Sequence, residues 1–402
     1  MYIGIEQSTL GMRQQSDKTK PAYSVHMDAL RALAAFLVLA GHARMLFFGE
    51  HVTAASAHHA QGVSNLGLGH HAVIVFFVLS GFLVGNSAWR AICSGRWSWR
   101  RYILQRMTRL WIVLLPALLI GGCLDRIGME HWSGTRSIYT APPGQGMVDD
   151  HLPEHSSLKV LIGNALFLQK IRVPNYGTNA ALWSLANEFW YYMLFPALLL
   201  VCVGKRPLWA RLAYAAFCIG VLVFISPSIA TLFAVWLVGF AVSILPLWIP
   251  RQCQSAAMLV LAIQFAAAGA FIRMHPMSVL TTDILLSVSF GVLLYGIVHA
   301  RQPMGNMIYS RLATEFASFS YTLYLVHLPC LTFLTALVLT PWHAWPKDGV
   351  HMIGAATLVC ATYAYAWCLY LLFERNTDRV RSWIAMWGND RRKAGDAVSV
   401  VV

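Results

Sequence analysis

The sequence predicts an all-α polytopic membrane protein, a bundle of about ten transmembrane helices with both termini in the cytoplasm. Three observations predict this fold class: 57% of the 402 residues are hydrophobic, only 12% are charged, and apolar stretches recur from residue 29 to residue 373. Each stretch contains about 20 residues, the length that an α-helix needs to cross the hydrocarbon core of a bilayer. The alternation of apolar and polar residues that is typical of transmembrane β-barrels does not occur.

Ten spans are placed along the chain, at 28–48, 69–89, 103–123, 180–203, 211–227, 229–249, 255–272, 279–299, 316–339 and 350–373. They define a transmembrane domain, 28–374, between a cytoplasmic N-terminal segment, 1–27, and a basic cytoplasmic tail, 375–402. The largest outer segment, about 124–179, either folds over the outer mouth or is an unstructured loop. Within it, residues 158–168 are apolar but too short to span, so we expect an interfacial or re-entrant segment.

The formal net charge of +13 follows from this topology. With the N-terminus inside, the outer side holds only eight of the 30 lysines and arginines: Arg44, Arg126, Arg136, Lys159, Lys170, Arg172, Arg273 and Lys347. The excess on the inner side is the positive-inside bias of membrane proteins. We therefore expect the lipid bilayer as a partner and no nucleic acid.

The first predicted span contains an arginine and a histidine, Arg31 and His42, eleven residues apart. On an α-helix this spacing is about three turns, so both side chains lie on one face, about 16 Å apart along the axis. Ionisable residues are costly inside a bilayer, which makes a function the default hypothesis. His42 is suited to act as a general base toward a hydroxyl group. The alternative is that Arg31 reaches the inner interface and His42 packs between helices.

A basic cluster begins the third predicted span, with Arg100, Arg101, Arg106 and Arg109. Arg106 and Arg109 are spaced i,i+3 and share one helical face at the inner interface. Paired guanidinium groups match the geometry of phosphate, so the cluster predicts a phosphate-binding site. The alternative is the positive-inside bias alone, because any inner loop is basic.

The fourth predicted span contains a carboxylate, Glu188, with Ser184 and Tyr191 on the same face. A buried carboxylate must be paired or protonated. Glu188 is therefore either a functional group or half of a structural ion pair, for instance with Arg44, and the two roles are compatible.

The ninth predicted span contains His327, with Tyr324 three residues earlier on the same helical face. The two side chains form a second polar stripe, and Pro329 predicts a kink just beyond it. The alternative is a hydrogen-bonded contact between helices.

Ser80 and Gly81 in the second predicted span form a small-residue pair at which helices can approach closely. A nucleophilic role for Ser80 is the alternative, but the G-x-S-x-G context that accompanies one class of nucleophilic serines does not occur around it. Packing is therefore the favoured role of this pair.

Five histidines lie between the first two predicted spans: His51, His58, His59, His70 and His71. They have no matching set of Cys, Asp or Glu residues, and the eight cysteines of the chain include no C-x-x-C motif. The sequence therefore predicts no metal site. We expect His70 or His71 to line the outer mouth instead.

Taken together, these motifs resemble the membrane acyltransferase-3 family, multi-pass proteins that acylate sugars and related acceptors. The similar segments, in chain order, are Arg31-x10-His42, Phe76-Phe-Val-Leu-Ser-Gly-Phe82, Arg106-x-x-Arg109, Trp183-Ser-Leu-x-x-Glu188, Ser320-Tyr-x-Leu-Tyr-Leu-Val-His327 and Phe373-Glu374-Arg375. Their order and spacing together carry the resemblance, since each motif alone is weak. The chain departs from the family's pattern at Ile74, where many members have an acidic residue or a histidine.

The resemblance implies a bacterial inner-membrane enzyme that takes an acyl group, above all acetyl, from cytoplasmic acetyl-CoA or another acyl-CoA. The acceptor implied is a hydroxyl of a glycan or glycolipid at the outer face. The enzyme is expected to act either alone or with polysaccharide-assembly proteins as partners. The resulting hypothesis assigns catalysis to Arg31, His42, Glu188 and His327, donor binding to Arg101, Arg106 and Arg109, and acceptor binding to Ser80, His71 and Tyr324. Whether His42 acts as a base or carries the acyl group transiently stays open.

The main alternative function is a transporter or flippase that moves an acyl or glycan substrate without group-transfer chemistry. Membrane histidines and carboxylates also form proton relays in such proteins. Transporters usually contain repeated halves and paired broken helices, and the sequence has no such repeat.

Overall fold

The computed structural model describes residues 22–49, 67–140, 151–204, 206–246, 248–275, 277–299 and 306–386. Within these residues the regular structure is helical, apart from one isolated bridge between Gln169 and Val173. The α-helices are α1 (Ala22–Phe48), α2 (Leu68–Cys93), α3 (Trp99–His131), α4 (Leu152–His155), α5 (Leu158–Ala165), α6 (Trp183–Cys202), α7 (Leu208–Phe224), α8 (Pro227–Ile244), α9 (Gln254–Met274), α10 (Val279–Val298), α11 (Met307–Ser318), α12 (Ser320–Val338) and α13 (Gly349–Leu372). The predicted all-helical fold class is confirmed.

Nine helices of the described residues are long and apolar enough to cross a membrane. They are α1, α2, α3, α6 (from Ala180), α8, α9, α10, α12 and α13, the last continuing to Met386. All nine coincide with predicted spans. The tenth prediction, 211–227, falls on α7, a shorter apolar helix of 17 residues.

The third predicted span is shorter than its helix, because α3 contains 33 residues and continues to His131. A helix of that length is about 50 Å long, which exceeds the hydrocarbon thickness. The apolar stretch shows where the chain crosses the membrane, but it does not determine where the helix ends. The extra turns bring Asp125 into α3, where it anchors the segment that follows.

The predicted interfacial segment 158–168 contains α5, a helix of eight residues. Eight residues rise by about 12 Å, which is too short to cross a bilayer. The prediction that this segment does not span is therefore confirmed. Residues 1–21, 50–66 and 387–402, and with them His51, His58, His59 and most of the predicted tail, lie outside the described residues.

The contacts divide the chain into two units, and the boundary falls within α1, between Gly41 and His42. The first unit contains α8 to α11 together with the described residues 22–41 and 67–90. The second contains α3 to α7, nearly all of α12, α13 and the last turns of α1.

In the first unit, α2 crosses α8 at very close range. A Cβ on Gly81 would lie 1.9 Å from the carbonyl oxygen of Trp236, and a Cβ on Gly239 would lie 1.8 Å from that of Val78. Only glycine permits such backbone contact. The indole Nε1 of Trp236 donates to Ser80 Oγ at 3.2 Å, and α2 has a π-helical turn at Gly81–Gly85.

In the second unit, the segment after α5 is folded and is fastened to α3. Asp125 is 1% exposed and accepts hydrogen bonds from the backbone N–H and the hydroxyl of Thr178, at 2.8 and 2.7 Å. Gly177 precedes this contact with φ +57°, and a Cβ there would lie 2.2 Å from Asp125 Oδ2. The described residues of this segment are folded, so the alternative of an unstructured loop is wrong for them. That the segment folds over the outer mouth stays a prediction. This fastening positions the start of α6, where the candidate site begins.

Candidate active site

A histidine pair lies in the second unit, between the end of α1 and the middle of α12. Nδ1 of His42 is 2.9 Å from Nε2 of His327, and the ring centroids are 5.0 Å apart. The His327 side chain is fully buried, whereas His42 is partly exposed. The two residues were predicted separately from two spans, and the structure brings them together.

The surroundings of His327 fix the tautomers of both rings. Its Nδ1 lies 3.1 Å from the carbonyl oxygen of Leu323 and 2.9 Å from that of Tyr324. A carbonyl only accepts, so Nδ1 carries the proton and Nε2 of the neutral ring is an acceptor. His42 must then donate from its own Nδ1. When both rings are neutral, the lone pair of His42 is therefore on Nε2.

Ser184 and Tyr324, which were predicted on two different helices, contact each other. The Tyr324 hydroxyl lies 2.6 Å from Ser184 Oγ and donates to the carbonyl oxygen of Ala181 at 3.2 Å. Ser184 and Tyr324 are both buried. These bonds join α12 to the first turn of α6 and so hold the helix that carries His327.

The start of α12 is held by a carboxylate from beyond α13. Glu374 Oε2 accepts from the backbone N–H of Thr322 at 3.1 Å and from its hydroxyl at 2.5 Å. A carboxylate at a helix N-terminus satisfies free N–H groups and interacts favourably with the helix dipole. Glu374 thus has a positioning role, which its place in a sequence motif alone did not specify.

The predicted arginine cluster is embedded among tyrosines. The guanidinium carbon of Arg106 lies 5.4 Å from the ring centroid of Tyr102 and 5.5 Å from that of Tyr192. Arg109 lies 6.0 Å from the ring centroid of Tyr321. Cation–π contacts of this kind hold a guanidinium group without neutralising it.

Glu188 belongs to the same cluster. The Tyr192 hydroxyl donates to Glu188 Oε1, and Tyr192 is one residue beyond Tyr191, which was predicted to share the face of Glu188. Tyr191 instead accepts from the amide of Asn187 at 3.3 Å. The i,i+4 spacing of Glu188 and Tyr192 places both on one helical face. His42 is held by His327, and a contact of Glu188 with His42 stays a prediction.

Two nitrogen donors of this region are buried and have no hydrogen-bond partner among the described residues, Arg106 Nε and Trp97 Nε1. Tyr102 lies between them, with its ring centroid 4.9 Å from that of Trp97. Buried donors are costly unless an acceptor satisfies them. Arg101 and Arg109 are exposed nearby in sequence. Positive charge together with unsatisfied donors fits a ligand that brings phosphate or carbonyl oxygens.

The remaining predicted residues lie in the first unit. Arg31, on the same helix as His42, forms an ion pair with Asp28 at 3.3 Å. Ser80 lies in the close crossing of α2 and α8, which favours its packing role over acceptor binding. His71 is half-buried beside His70, with ring centroids 6.4 Å apart.

Asp283, which was not among the predicted site residues, forms an ion pair with Nε2 of His70 at 2.8 Å. The Asp283 side chain is 2% exposed and lies in the second turn of α10. A carboxylate inside a predicted span was the available signal. His70 is therefore engaged within the first unit, and the prediction that His71 contacts the acceptor remains.

The comparison with known families gives one match over most of the chain. A family model described as an acyltransferase domain, Acyl_transf_3, matches residues 25–372. The matched segment contains both residues of the histidine pair and the arginine cluster, and it ends just before Glu374. No functionally curated protein and no solved structure matches the chain.

Proposed function

Because the chain belongs to the acyltransferase-3 family, we propose that it is a membrane-bound O-acyltransferase. The reaction transfers an acyl group, in the simplest case acetyl, from acyl-CoA to a hydroxyl of a glycan or glycolipid. The observation that carries this proposal is the bond between His42 and His327, because it orients the partly buried imidazole of His42 and places the lone pair of that ring on Nε2.

In the proposed reaction, Nε2 of His42 accepts the proton of the acceptor hydroxyl as the hydroxyl oxygen attacks the thioester carbon. A carbon–oxygen bond forms and the carbon–sulfur bond breaks. The proton on His42 then passes to the CoA thiolate, which leaves as the thiol. General-base catalysis by a positioned histidine contributes about 10²–10⁴-fold to a rate.

His327 acts through His42 in this proposal. Its Nε2 accepts the Nδ1–H of His42, which keeps the lone pair of His42 on the opposite nitrogen. It also stabilises the imidazolium that forms when His42 takes a proton. The carbonyl oxygens of Leu323 and Tyr324 keep His327 in the required tautomer.

The arginine cluster is the proposed donor site. Arg106 Nε and Trp97 Nε1 are buried donors that phosphate or amide oxygens of acyl-CoA would satisfy. Arg101 and Arg109 are exposed and add positive charge for the phosphates. Glu188, bonded to Tyr192 beside Arg106, orients the cluster in this arrangement.

Other parts of the proposal rest on sequence motifs. Arg31 is the charged partner of His42 in the Arg31-x10-His42 motif, and it is proposed to guide the acyl arm along α1. The bacterial inner membrane is the proposed location, with cytoplasmic termini. Proteins of polysaccharide assembly are the proposed partners, since they would supply the acceptor.

The test is transfer of label from radioactive acetyl-CoA in proteoliposomes of the purified protein, with a set of methyl glycosides as acceptors. We expect a labelled ester on at least one glycoside with the wild-type protein and none with His42→Gln. Unlabelled glycoside that crosses the bilayer unmodified would instead support the transporter. Binding of acetyl-CoA by the His42→Gln variant is the control for its folding.

A further inference from the structure

We propose that the side-chain oxygens of Gln169 and Asn179 form a subsite that accepts hydrogen bonds from hydroxyl groups of the acceptor glycan. The subsite rests on the proposed acyl transfer and names the groups that hold its acceptor. Both residues lie in the second unit, in the segment that leads into α6.

The orientation of both amides is fixed by the backbone. Gln169 Nε2 donates to the carbonyl oxygen of Leu182 at 2.9 Å, and Asn179 Nδ2 donates to that of Leu325 at 2.8 Å. A carbonyl cannot donate, so neither amide can be rotated by 180° without losing its bond. The other atom of each amide is therefore an oxygen acceptor.

Both oxygens are buried without a hydrogen-bond partner among the described residues. The Gln169 side chain is fully buried and Asn179 is 3% exposed. An unsatisfied buried acceptor costs about 1–3 kcal/mol, and a donor from a bound ligand would remove this cost. These two oxygens lie in the unit that holds the histidine pair, in the segment next to α12.

Asn179 is attached to the turn of α12 that carries His327. Pro329 has no N–H, so the carbonyl oxygen of Leu325, four residues earlier, has no helical donor. The Asn179 amide fills this vacancy. The two preceding carbonyls, of Leu323 and Tyr324, hold His327. Three consecutive carbonyls of one turn thus position both the histidine and the amide.

Gln169 is presented by a strained turn. Phe167 and Lys170 have φ of 59° and 63°, which costs about 1–2 kcal/mol for a residue with a side chain. The turn is fastened by Trp111, which donates to the Ala165 carbonyl at 2.9 Å, and by Trp190, which donates to the Phe167 carbonyl at 3.0 Å. Rigid indole contacts thus maintain a conformation that places the Gln169 oxygen in the interior.

The chemistry of the two oxygens selects the ligand. They only accept, so a thioester carbonyl or an ionised phosphate has nothing to offer them, whereas each sugar hydroxyl brings a donor. The unsatisfied N–H groups of Arg106 and Trp97 are donors and suit the opposite substrate. In the second unit, the unsatisfied N–H donors therefore suit acyl-CoA, and the unsatisfied oxygen acceptors suit the glycan.

The test measures apparent KM values for the methyl glycosides and for acetyl-CoA in Gln169→Ala and Asn179→Ala. We expect each variant to raise the glycoside KM about tenfold, the loss of one hydrogen bond. The KM for acetyl-CoA should not change. Gln264→Ala is the matched control, because Gln264 on α9 also donates to a neighbour and has a buried oxygen without a partner.

A rise in the KM for acetyl-CoA instead would indicate that the two oxygens accept hydrogen bonds from the pantetheine amides. Unchanged KM values would indicate that buried water donates to them. Either result overturns the proposal.

Deoxy analogues of the glycoside test the same bonds in the unaltered protein, should a variant not fold. Calorimetric titration with the glycosides, without acetyl-CoA, separates the two proposals: binding that Asn179→Ala weakens supports the subsite even if no acyl transfer occurs. A wild-type protein that binds no glycoside overturns the subsite.

Discussion

Nδ1 of His42 donates to Nε2 of His327 across 2.9 Å, although 285 residues separate the two in the chain. The bond makes the orientation of one imidazole depend on the other. The carbonyl groups behind His327 in turn make that orientation depend on the backbone of α12. The two histidines therefore form one chemical unit.

Replacing His327 should test this dependence. His327→Leu removes the acceptor for His42 and should lower kcat about a hundredfold or more, with little effect on the KM for acetyl-CoA. His327→Gln offers an amide oxygen near the position of Nε2 and should retain clearly more activity. Both are measured by label transfer at saturating acetyl-CoA. Equal loss of activity in the two variants would contradict the tautomer argument.

The donor site is tested by Arg106→Lys. Lysine keeps the charge but loses the planar group that lies over the rings of Tyr102 and Tyr192, and it loses the buried Nε. We expect the KM for acetyl-CoA to rise about tenfold while the glycoside KM is unchanged. Arg126→Lys is the control, because Arg126 is 80% exposed and pairs with Glu130. A change in the glycoside KM alone would move Arg106 from the donor to the acceptor side.

The fastening of the outer segment is tested by Gly177→Ala. The substitution strains a backbone with φ +57° and places a Cβ 2.2 Å from Asp125 Oδ2. We expect a loss of about 2–4 kcal/mol in stability. Gly134→Ala is the control: its φ is +73°, but no atom lies within 4 Å of the added Cβ, so only the backbone term of about 1 kcal/mol applies. Thermal unfolding in detergent measures both, and equal shifts in Tm would argue against the contact with Asp125.

The crossing of α2 and α8 is tested by Gly239→Ala. Its Cβ would lie 1.8 Å from the Val78 carbonyl oxygen and 2.8 Å from Phe82 N, both backbone atoms that cannot rotate away. We expect destabilisation of about 3 kcal/mol or more. Gly220→Ala in α7 meets no atom within 4 Å and should stabilise its helix by up to about 1 kcal/mol. The opposite signs of the two Tm shifts form the prediction, and a neutral Gly239→Ala would contradict the close packing.

The sequence was sufficient to predict the spans and the fold class, because the length of an apolar stretch is a direct physical requirement of the bilayer. It was also sufficient to single out His42 and His327, since each is expensive in a span. Their contact was not predictable from one sequence. It depends on how α12 packs against α1, and no local pattern encodes that distance.

The amides of Gln169 and Asn179 could not be predicted as a site. Both types of residue are ordinary in a polar loop, and only the bonds to Leu182 and Leu325 reveal that the opposite oxygens are unsatisfied. Asp283 was within reach of sequence reasoning, because it is a carboxylate in a predicted span. The bounds of α3 could not be predicted from the apolar residues, because the helix continues beyond them. It ends at His131, where the N–H of Trp132 donates to the carbonyl oxygen of Gly128 and a turn follows.

The π-helical turn at Gly81–Gly85 divides α2 into two α-helical segments that are rotated relative to each other about the helix axis. A π turn holds one residue more than an α turn, so the segments on either side are offset by about 100° relative to an uninterrupted α-helix. The face that carries His70 is therefore set independently of the face that carries Trp89. Deleting one residue from this turn would restore a continuous α-helix and rotate one face against the other. A deletion or insertion of one residue at this turn therefore changes which side chains of α2 face the neighbouring helices.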